Sequence, residues 1–530
     1  MNATSDQAVS ETRLSDAVDR GITVTEMTPM DRSIDVSPNT TAAFVGRALR
    51  GPLNTPVLVN DFGEFRKRFG DVWTRSSLGP AVRQFFEHGG ERLCVVRVAN
   101  NARGAMLCVP AGGSALVLRA VEPGSSECIR AAVDYDGIDE DDDELFNLTL
   151  QRVDLRSAHV IDQELWQRVS FREESAKFVA DMLLTSTLAR VEHPYPTHRP
   201  EATLERSSPF DSAYVGHAQE GADGLELSDY DLIGSRRELT GLFALDQVDR
   251  IDILYLPPPG KGRDLGPACV LAAEIYCRER GAMLVADPAS DWVTPAKAVA
   301  GVRAAGLASP NVLSYFPRMY ERNDEGSAPR AVGGAIAGLL CKLDRTHGPW
   351  AELDQHGMGF TRKLVAAFDL IDDDVHMLAR EGLNLISKGP AGCARMTGSV
   401  TLGRGSELHR EFAKLSVRRL CLHLVNTIDH ATRWAVFEPE GAAVGARIKS
   451  VVTAYLAALA SFGAFENDRF VVECDANLCH RDDRREHGVT IVVIFHPRGC
   501  TEPVSFTLHQ SAAGCRVTST AFAPPLWMCA

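Results

Sequence analysis

The stretch Glu411–Gln510, which opens EFAKLSVRRLCLHLVNTIDHATRWAVF, predicts a compact unit of two helices packed on a small sheet. Its first helix carries an apolar stripe that recurs every three or four residues, the period of an amphipathic helix. The stripe consists of Val417, Leu420, Cys421, Leu424, Ile428, Ala431 and Ala435. Beyond the helix-breaking stretch Phe437–Gly441, a second stripe of the same period predicts another helix. It consists of Val444, Ile448, Val451, Val452, Tyr455, Leu456 and Leu459.

Three predicted strands complete this unit: Arg469–Cys474, Val489–Phe495 and Val504–His509. The middle strand, VTIVVIF, is almost continuously apolar, as expected of a strand covered on both faces. The first helix also has a polar, partly basic face. Its members are Arg419, His423, Asn426, His430 and Arg433. No residues of this unit have the spacing of a catalytic motif.

The composition is that of a soluble globular protein with several domains. A chain of 530 residues is too long for one core, and about three to four domains are expected. The formal net charge of -14 argues against nucleic acid as the main partner. The 13 cysteines include no CxxC pair, and no secretory signal pattern is found, which together predict reduced thiols in the cytoplasm. No apolar run approaches the ~20 residues that span a bilayer, so membrane insertion is not expected.

The first hundred residues combine a possible arm with the beginning of an α/β layer. Gly21–Met27 (GITVTEM) alternates like a short strand that has no hairpin partner nearby, so it must pair at long range or with another molecule. Thr41–Gly46 and Leu93–Val98 are predicted buried strands. Between them, Phe62–Phe69 and Leu78–His88 are predicted helices. This order of elements is typical of an α/β fold.

Two of these stretches resemble the opening of the contractile tail sheath proteins of bacteriophages, R-type bacteriocins and extracellular contractile injection systems. They are AAFVGRALRGPLNTPVLVNDFGEFRKRFG, from Ala42, and AVRQFFEHGGERLCVVRV, from Ala81. GITVTEM occupies the place of the family's extended N-terminal arm. Further on, AMLVADP, NVLSYFPRMY, GGAIAGLLCKLDRTHGPW and EGLNLI resemble successive landmarks of the family's middle domain. The resemblance runs from about Gly21 to His509.

The resemblance implies a multidomain α/β fold with a subtilisin-like, doubly wound α/β middle domain, a β-rich insertion and an α+β C-terminal domain completed by the N-terminal segment. Alternating strands and helices between Ile251 and Tyr315 also favour a largely parallel sheet. REESAKFVADMLLTSTL (Arg172–Leu188) is predicted to be a helix within the insertion. The expected divisions are an arm (1–40), an α/β segment (41–104), the insertion (105–200), the middle domain (201–380), the C-terminal domain (381–510) and a tail (511–530).

The sequence also departs from the family pattern. After Trp350 it reads AELDQHG where family members usually carry a proline-alanine-asparagine stretch. The family's Gly-Ala-Arg-Thr-Leu stretch is loosened to CARMTGSVTL, from Cys393. These changes mark a diverged member of the family.

By resemblance, the chain is a structural subunit that polymerises helically around an inner tube and contracts to drive the tube through a target envelope. Its partners would be other copies of itself, the inner tube protein, and baseplate and terminator proteins at the sheath ends. Assembly into a phage tail or phage-tail-like particle would take place in the cytoplasm. Neither enzymatic activity nor a cofactor is implied.

Three sets of residues are implied to make the assembly contacts. The strand of the arm that reaches a neighbouring subunit would use Ile22, Val24 and Met27. The C-terminal sheet that accepts neighbouring arms would use Val489, Ile491, Val493, Val504 and Phe506. A helix facing the tube would use Arg418, Arg419, His423, His430 and Arg433. For this helix face, ordinary exposure to solvent is the alternative.

Two other functional classes stay open. GKGRDLG (Gly260–Gly266) lies between a predicted strand and a predicted helix, the context of a phosphate-binding loop. Its spacing is neither the dinucleotide fingerprint nor a Walker loop, so a connecting loop is favoured over a nucleotide site. A serine protease triad would need partners for Asp252, for which His347 and His356 lie in unsuitable local sequences. A non-contractile adaptor is the remaining class.

Two clusters of potential metal ligands have plainer explanations. Cys474, Cys479, His480 and His487 lack the paired spacing of zinc ligands. The acidic run Asp134–Glu144 does not fit a calcium-binding EF-hand and is predicted to be a solvated loop.

Overall fold

The computed structural model describes residues 34–36, 39–154, 157–203, 214–260, 262–322, 328–389, 392–405, 412–437, 442–474, 488–500, 502–511 and 514–521. The strands are β1 (Ala42–Gly46), β2 (Val57–Val59), β3 (Leu93–Arg97), β4 (Met106–Ala111), β5 (Ser114–Ala120), β6 (Ile129–Asp134), β7 (Leu145–Val153), β8 (Val160–Ser170), β9 (Ala189–Glu192), β10 (His217–Gln219), β11 (Ile253–Tyr255), β12 (Met283–Val285), β13 (Val312–Leu313), β14 (Tyr315–Phe316), β15 (Met319–Glu321), β16 (Leu364–Ala366), β17 (Asn384–Lys388), β18 (Ala394–Thr397), β19 (Phe465–Cys474), β20 (Gly488–Pro497), β21 (Val504–Ser511) and β22 (Gly514–Ala521). The α-helices are α1 (Phe62–Phe69), α2 (Leu78–Glu87), α3 (Val179–Met182), α4 (Asp229–Ile233), α5 (Pro267–Arg280), α6 (Pro295–Ala305), α7 (Gly333–His347), α8 (Asp372–Arg380), α9 (Leu415–Thr432) and α10 (Ala442–Ser461).

A six-stranded sheet with the order β13-β12-β11-β1-β3-β2 forms the centre of an α/β unit. Its strands are parallel except for the edge strand β2, which runs antiparallel to β3. Strand β1 therefore pairs with β3 on one side and with β11, some 200 residues later, on the other. Segments 41–104 and 201–380 thus contribute strands to one sheet.

Alternating side chains of this sheet feed two cores. Phe44 and the other side chains on its face of the sheet pack against α1, α2 and α7. Val45 and the other side chains on the opposite face pack against α4, α5, α6 and α8. The parallel sheet is therefore covered by helices on both faces, as parallel sheets usually are. The structure confirms a mixed α/β fold of several units, and the subtilisin-like topology stays a prediction.

The insertion is built from two antiparallel sheets, β10-β4-β5-β9 and β6-β7-β8, around a common core. Arg97 links it to the α/β unit, because its guanidinium donates to the carbonyl oxygens of Ala48 (3.1 Å) and Pro123 (2.6 Å). Burial lowers the pKa of Arg97 to about 10. In place of the helix predicted over Arg172–Leu188, the structure has only the four-residue α3 and a short 3₁₀ turn.

The C-terminal unit consists of α9 and α10 on the antiparallel sheet β19-β20-β21-β22. Every member of the two predicted apolar stripes is buried except Ala431 and Val451, which are half-buried. Strand β22 was not predicted and lies in the stretch assigned to a tail. Strand β17 pairs with β14 of the α/β unit on one side and with β18 on the other, whereas the buried core of the C-terminal unit includes Phe412 and residues after it.

Helix α10 departs from the expectation that no apolar stretch is long enough to cross a membrane. Among the described residues, Ala443–Ser461 is the one helical segment that meets this criterion of length and composition, with a mean hydropathy of 1.3. Its large apolar side chains are buried in the core of the C-terminal unit. They are Ile448, Val452, Tyr455, Leu456 and Leu459.

Candidate assembly interface

Among the described residues, the two outer strands of the C-terminal sheet, β19 and β22, each pair on one side only. Strand β20 pairs with β19 on one side and with β21 on the other, and β21 also pairs with β22. The predicted acceptor residues lie on these two interior strands. Ile491, Val493, Val504 and Phe506 are buried in the core, and Val489 is half-buried against it. Since the interior strands have partners on both sides, an added strand can pair only along β19 or β22.

The predicted arm residues Ile22, Val24 and Met27 lie outside the described residues. The chain is described from Ile34, which packs together with Val36 against the core of the C-terminal unit. Six residues further on, the chain enters β1 in the centre of the α/β unit. The N-terminal segment therefore contacts both units before it reaches the main sheet.

Helix α9 places the first half of its polar face against the α/β unit. Arg419 and His423 are buried, and Arg418 is half-buried and donates to the side chain of Asn311 at 2.7 Å. Arg419 forms an ion pair with Asp344 of α7. Arg419 and His423 are therefore shielded from solvent while the two units are in contact. We refer to this contact, made by α9 and the polar residues facing it, as the seam.

The seam is polar and tightly hydrogen-bonded. Asp344 is 2% exposed, accepts from Arg419 through Oδ1 and accepts from the Thr40 hydroxyl through Oδ2 at 2.7 Å. Asp252 accepts from Arg250 at 2.8 Å and from the Thr41 amide at 2.9 Å. Burial raises the pKa of Asp344, and the nearby Arg419 guanidinium opposes that shift. The Arg419 charge thus compensates a carboxylate that water cannot reach.

The second half of the polar face of α9 is open. His430 and Arg433 are exposed, and Arg433 pairs with Asp429 at 2.8 Å. They line a cleft of about 470 Å³ between the two units. A larger cleft of about 990 Å³ is lined by Val36, Trp350 and Phe462, among others. Of the five residues predicted to face a tube, these two are exposed, and the half-buried Arg418 lines the same cleft.

His423 makes the seam sensitive to acid. Arg250 donates to its Nδ1 at 3.1 Å, and its buried Nε2 has no hydrogen-bond partner among the described residues. Desolvation, followed by the positive charge of Arg250, lowers the pKa of His423 to about 4. Asp252 opposes this shift, and Arg419 adds to it. The imidazole is therefore neutral at pH 7.

We expect the free energy of unfolding to decrease as the pH falls from about 6.5 to about 4. In the unfolded chain, His423 takes up a proton near its ordinary pKa of about 6.5, whereas in the folded chain it does so only near 4. The unfolded state thus binds more protons in this window, which costs about 3 kcal/mol of stability at its acid end. Urea denaturation of the protein and of His423→Gln across this range measures the difference.

His423→Gln is the matched variant because its amide oxygen can still accept from Arg250 but does not titrate. The raised pKa of Asp344 acts in the opposite direction, since protonation favours the folded state there, and it is common to both proteins. Parallel pH dependences in the two proteins would contradict a buried neutral His423.

The structure does not support a phosphate site at Gly260–Gly266. The amides of Gly266 and Cys269 at the beginning of α5 already donate to the Asp229 carboxylate, at 3.0 and 3.4 Å. A phosphate would need these helix N-terminal amides. Asp264 of the same loop accepts from the Ser290 amide at 2.8 Å and pairs with Arg318. Its polar groups thus bind other parts of the chain, as in a connecting loop.

The remaining candidate residues are not brought together. His347 and His356 stack on each other, with ring centroids 3.7 Å apart, whereas Asp252 belongs to the seam. Cys474 lies in β19, while Cys479, His480 and His487 lie outside the described residues. Within the described part of the chain, no group of three or more side chains is placed to hold a metal ion. In the predicted acidic loop, Asp142 accepts from the loop amides of Glu144 and Leu145.

Sequence reasoning missed Thr40, Asp344 and Arg250. The available signal was the lone carboxylate in GGAIAGLLCKLDRTH, where Asp344 falls three and four residues after Cys341 and Leu340. An acidic residue at an apolar position of a helix requires a buried partner.

Comparisons with known proteins agree with this architecture. No protein-family model and no curated protein matches the sequence. Solved structures match over nearly the whole chain. A sheath tail protein from Listeria innocua has a TM-score of 0.61 at 13% identity, covering 89% of this chain and 95% of that protein. The anti-feeding prophage helical sheath in the contracted state has a TM-score of 0.53 at 15% identity, covering 92% of this chain and 98% of that one.

A sheath tail protein from Desulfitobacterium hafniense has a TM-score of 0.52 at 12% identity, covering 93% of this chain and the full length of that protein. These identities are low, yet each of the three matches covers at least 89% of this chain. The resemblance predicted from the sequence is thus confirmed in the fold. The chain has the fold of the tail sheath proteins, carried by a sequence that has diverged far from theirs.

Proposed function

We propose that this chain is the structural subunit of a contractile sheath that polymerises around an inner tube. The observation that supports the proposal is the structural match over 89–92% of the chain to sheath proteins, one of them a helical sheath in its contracted state. A fold does not by itself fix a function. The open edges of the C-terminal sheet add a local reason, because an exposed edge can accept a strand from another chain.

Residues 1–33 would supply this strand to a neighbouring subunit. Ordering the seven residues Gly21–Met27 costs roughly 1–2 kcal/mol each for the backbone, and ladder hydrogen bonds return about 0.5–1.5 kcal/mol apiece. These contributions nearly cancel, so the burial of Ile22, Val24 and Met27, at roughly 1.5–3 kcal/mol each, decides the balance. Such weak joints gain strength when they are repeated over a lattice.

The complete assembly would include an inner tube protein, with baseplate and terminator proteins at its ends, in a phage tail or phage-tail-like particle formed in the cytoplasm. In this role the α/β unit is a scaffold without enzymatic activity. The stored energy of contraction would lie in the difference between two packings of the same subunits. The exposed His430 and Arg433 are the members of the predicted helix face that can contact the tube.

Deleting residues 1–28 is expected to abolish ordered sheath without unfolding the body of the protein. The deletion removes the predicted arm strand and leaves every described residue in place. Negative-stain electron microscopy of the protein, co-expressed with a candidate tube subunit, measures the result as long striated cylinders for the intact chain and discrete particles for the deletion.

A finer comparison replaces only one face of the arm strand. Ile22→Asp combined with Val24→Asp should also prevent cylinders, whereas Thr23→Ser combined with Thr25→Ser on the alternate face should not. Cylinders formed by the deletion variant would refute the role of the arm. Small defined oligomers of the intact chain with a tube present would instead favour the adaptor.

A further inference from the structure

The N-terminal segment is fastened at the seam, where the two units meet. The Thr40 hydroxyl donates to Asp344 of α7, and Asp344 also pairs with Arg419 of α9. The next residue, Thr41, exchanges two hydrogen bonds with Asp252: its amide donates to the carboxylate, and its carbonyl accepts from the Asp252 amide, both at 2.9 Å. Thr40 and Thr41 thus bond directly to two carboxylates of the α/β unit, and Asp344 connects Thr40 to Arg419 of the C-terminal unit.

The hydrogen bond from the Thr40 hydroxyl to Asp344 is stronger than one between two neutral groups. Asp344 is buried and uses Oδ1 for Arg419, which leaves Oδ2 to the Thr40 hydroxyl. A hydrogen bond to a charged acceptor is about twice as strong as one between neutral groups. Since water cannot replace the hydroxyl at a buried carboxylate without opening the seam, losing this bond frees the segment rather than exchanging one partner for another.

Thr40 lies between the part of the N-terminal segment that packs on the C-terminal unit and the first strand of the main sheet. Before it, Ile34 and Val36 pack against the C-terminal unit; after it, β1 begins in the centre of the main sheet. The described chain therefore begins beside the C-terminal unit. Any pull on residues 1–33 would reach the described chain first at Ile34 and Val36 and then at the seam.

We propose that Thr40 is a positioning residue that fixes the root of the N-terminal arm at the seam, so that tension from a neighbouring subunit is passed to both units together. Asp344 and Asp252 hold Thr40 and Thr41, which form the root of the arm. The ion pair between Asp344 and Arg419 connects this root to α9. This inference rests on the proposed function in so far as it assigns residues 1–33 to a neighbour. The fastening itself is a property of the single chain.

Thr40→Val tests the fastening because valine keeps the shape of threonine and lacks the hydroxyl, whereas Thr40→Ser keeps the hydroxyl. In the full-length monomer, amide hydrogen exchange of the peptide 34–41 is expected to be at least about tenfold faster in Thr40→Val than in the parent. Thr40→Ser should exchange at the parental rate, and peptides from α10 and the insertion should be unchanged in both variants. Unchanged exchange in Thr40→Val, or equal acceleration in Thr40→Ser, would overturn the proposal.

Assembly supplies the second readout. With the tube subunit present, the concentration of Thr40→Val needed to form cylinders should rise at least about tenfold, while Thr40→Ser should stay within about twofold of the parent. Faster exchange with an unchanged assembly concentration would refute the transfer of tension through this root. If the unaltered chain forms no cylinders, the proposed function fails, and the exchange experiment still decides whether Thr40 holds the segment.

Discussion

Replacing Arg419 by methionine is expected to destabilise the protein by about 3–5 kcal/mol, a large effect for a single substitution. The reason is that the substitution leaves Asp344, the ion-pair partner of Arg419, buried without a compensating charge. Asp344 is 2% exposed and would keep only the Thr40 hydroxyl as a donor from the seam. An uncompensated buried carboxylate is costly, and methionine fills the space of the arginine stem without replacing its charge. Urea denaturation, monitored by tryptophan fluorescence, measures the loss.

A second arginine of α9 shows how much of the expected loss of stability depends on the burial of the ion pair. Arg433 also lies on α9 and also pairs with an aspartate, Asp429, but its side chain is 54% exposed. Arg433→Met should therefore cost less than about 1 kcal/mol, as expected of a surface ion pair between residues i and i+4. Equal effects of the two substitutions would show that the seam is open to water in solution.

A double variant tests whether the unpaired charge of Asp344, rather than lost packing, causes the destabilisation. Arg419→Met combined with Asp344→Leu removes both charges and should be less destabilised than Arg419→Met alone, because no buried charge is left without a partner. The single variant should also regain stability at acidic pH, where Asp344 can take up a proton. A double variant less stable than the single one would mean that packing, rather than the buried charge, holds the seam together.

Helix α9 shows both the reach and the limit of sequence reasoning. Its apolar stripe was predicted correctly because periodicity states which residues share a face. The same periodicity grouped Arg419 and His423 with His430, but it cannot state what that face meets. The first two contact the α/β unit, whose own partners Arg250 and Asp344 are distant in sequence. The tube-facing assignment stays a prediction, and the burial of Arg419 and His423 leaves them shielded from any partner while the two units are in contact.

The central sheet could be predicted only in part. Strands such as β1 and β3 were found from their apolar runs, yet the pairing of β1 with β11 joins residues separated by the whole insertion. Strand β22 was missed because GCRVTSTA has few apolar residues, and an edge strand needs few. Pairing between distant strands has no local signature, so the sequence could not predict which distant segments share a sheet.

In the insertion, tertiary contacts override a helical pattern. Arg172–Leu188 was predicted to be one helix, but Glu164 of β8 accepts from the Ser186 hydroxyl at 2.6 Å and from the Thr187 amide at 2.7 Å. These bonds fix the end of the segment in a non-helical conformation. At its beginning, the Ser170 amide donates to the Lys177 carbonyl at 2.8 Å. Only α3 and the short 3₁₀ turn after it are helical between them.

Adding one methyl group at each of two glycines of α7 is expected to cost several kcal/mol. Gly334 and Gly338 lie one turn apart and face α2, so the two helices pack backbone to backbone. A Cβ at Gly334 would overlap the carbonyl oxygen of Ala81, and a Cβ at Gly338 would overlap that of Phe85. Neither obstacle is a flexible side chain that can turn aside. Overpacking typically costs about 1–3 kcal/mol per site, so Gly334→Ala combined with Gly338→Ala should lose about 2–6 kcal/mol.

A glycine-to-alanine substitution in α10 should have the opposite effect on the free energy of unfolding. A Cβ at Gly445 meets its nearest neighbour, the Cys474 carbonyl oxygen, at 3.4 Å, an ordinary contact. Alanine favours helices over glycine by about 1 kcal/mol, so Gly445→Ala should leave stability unchanged or raise it by up to that amount. Urea denaturation of the three proteins measures both effects. A stable double variant of α7 would mean that α2 and α7 can move apart, and the α/β unit would then be far less rigid than its close helix packing implies.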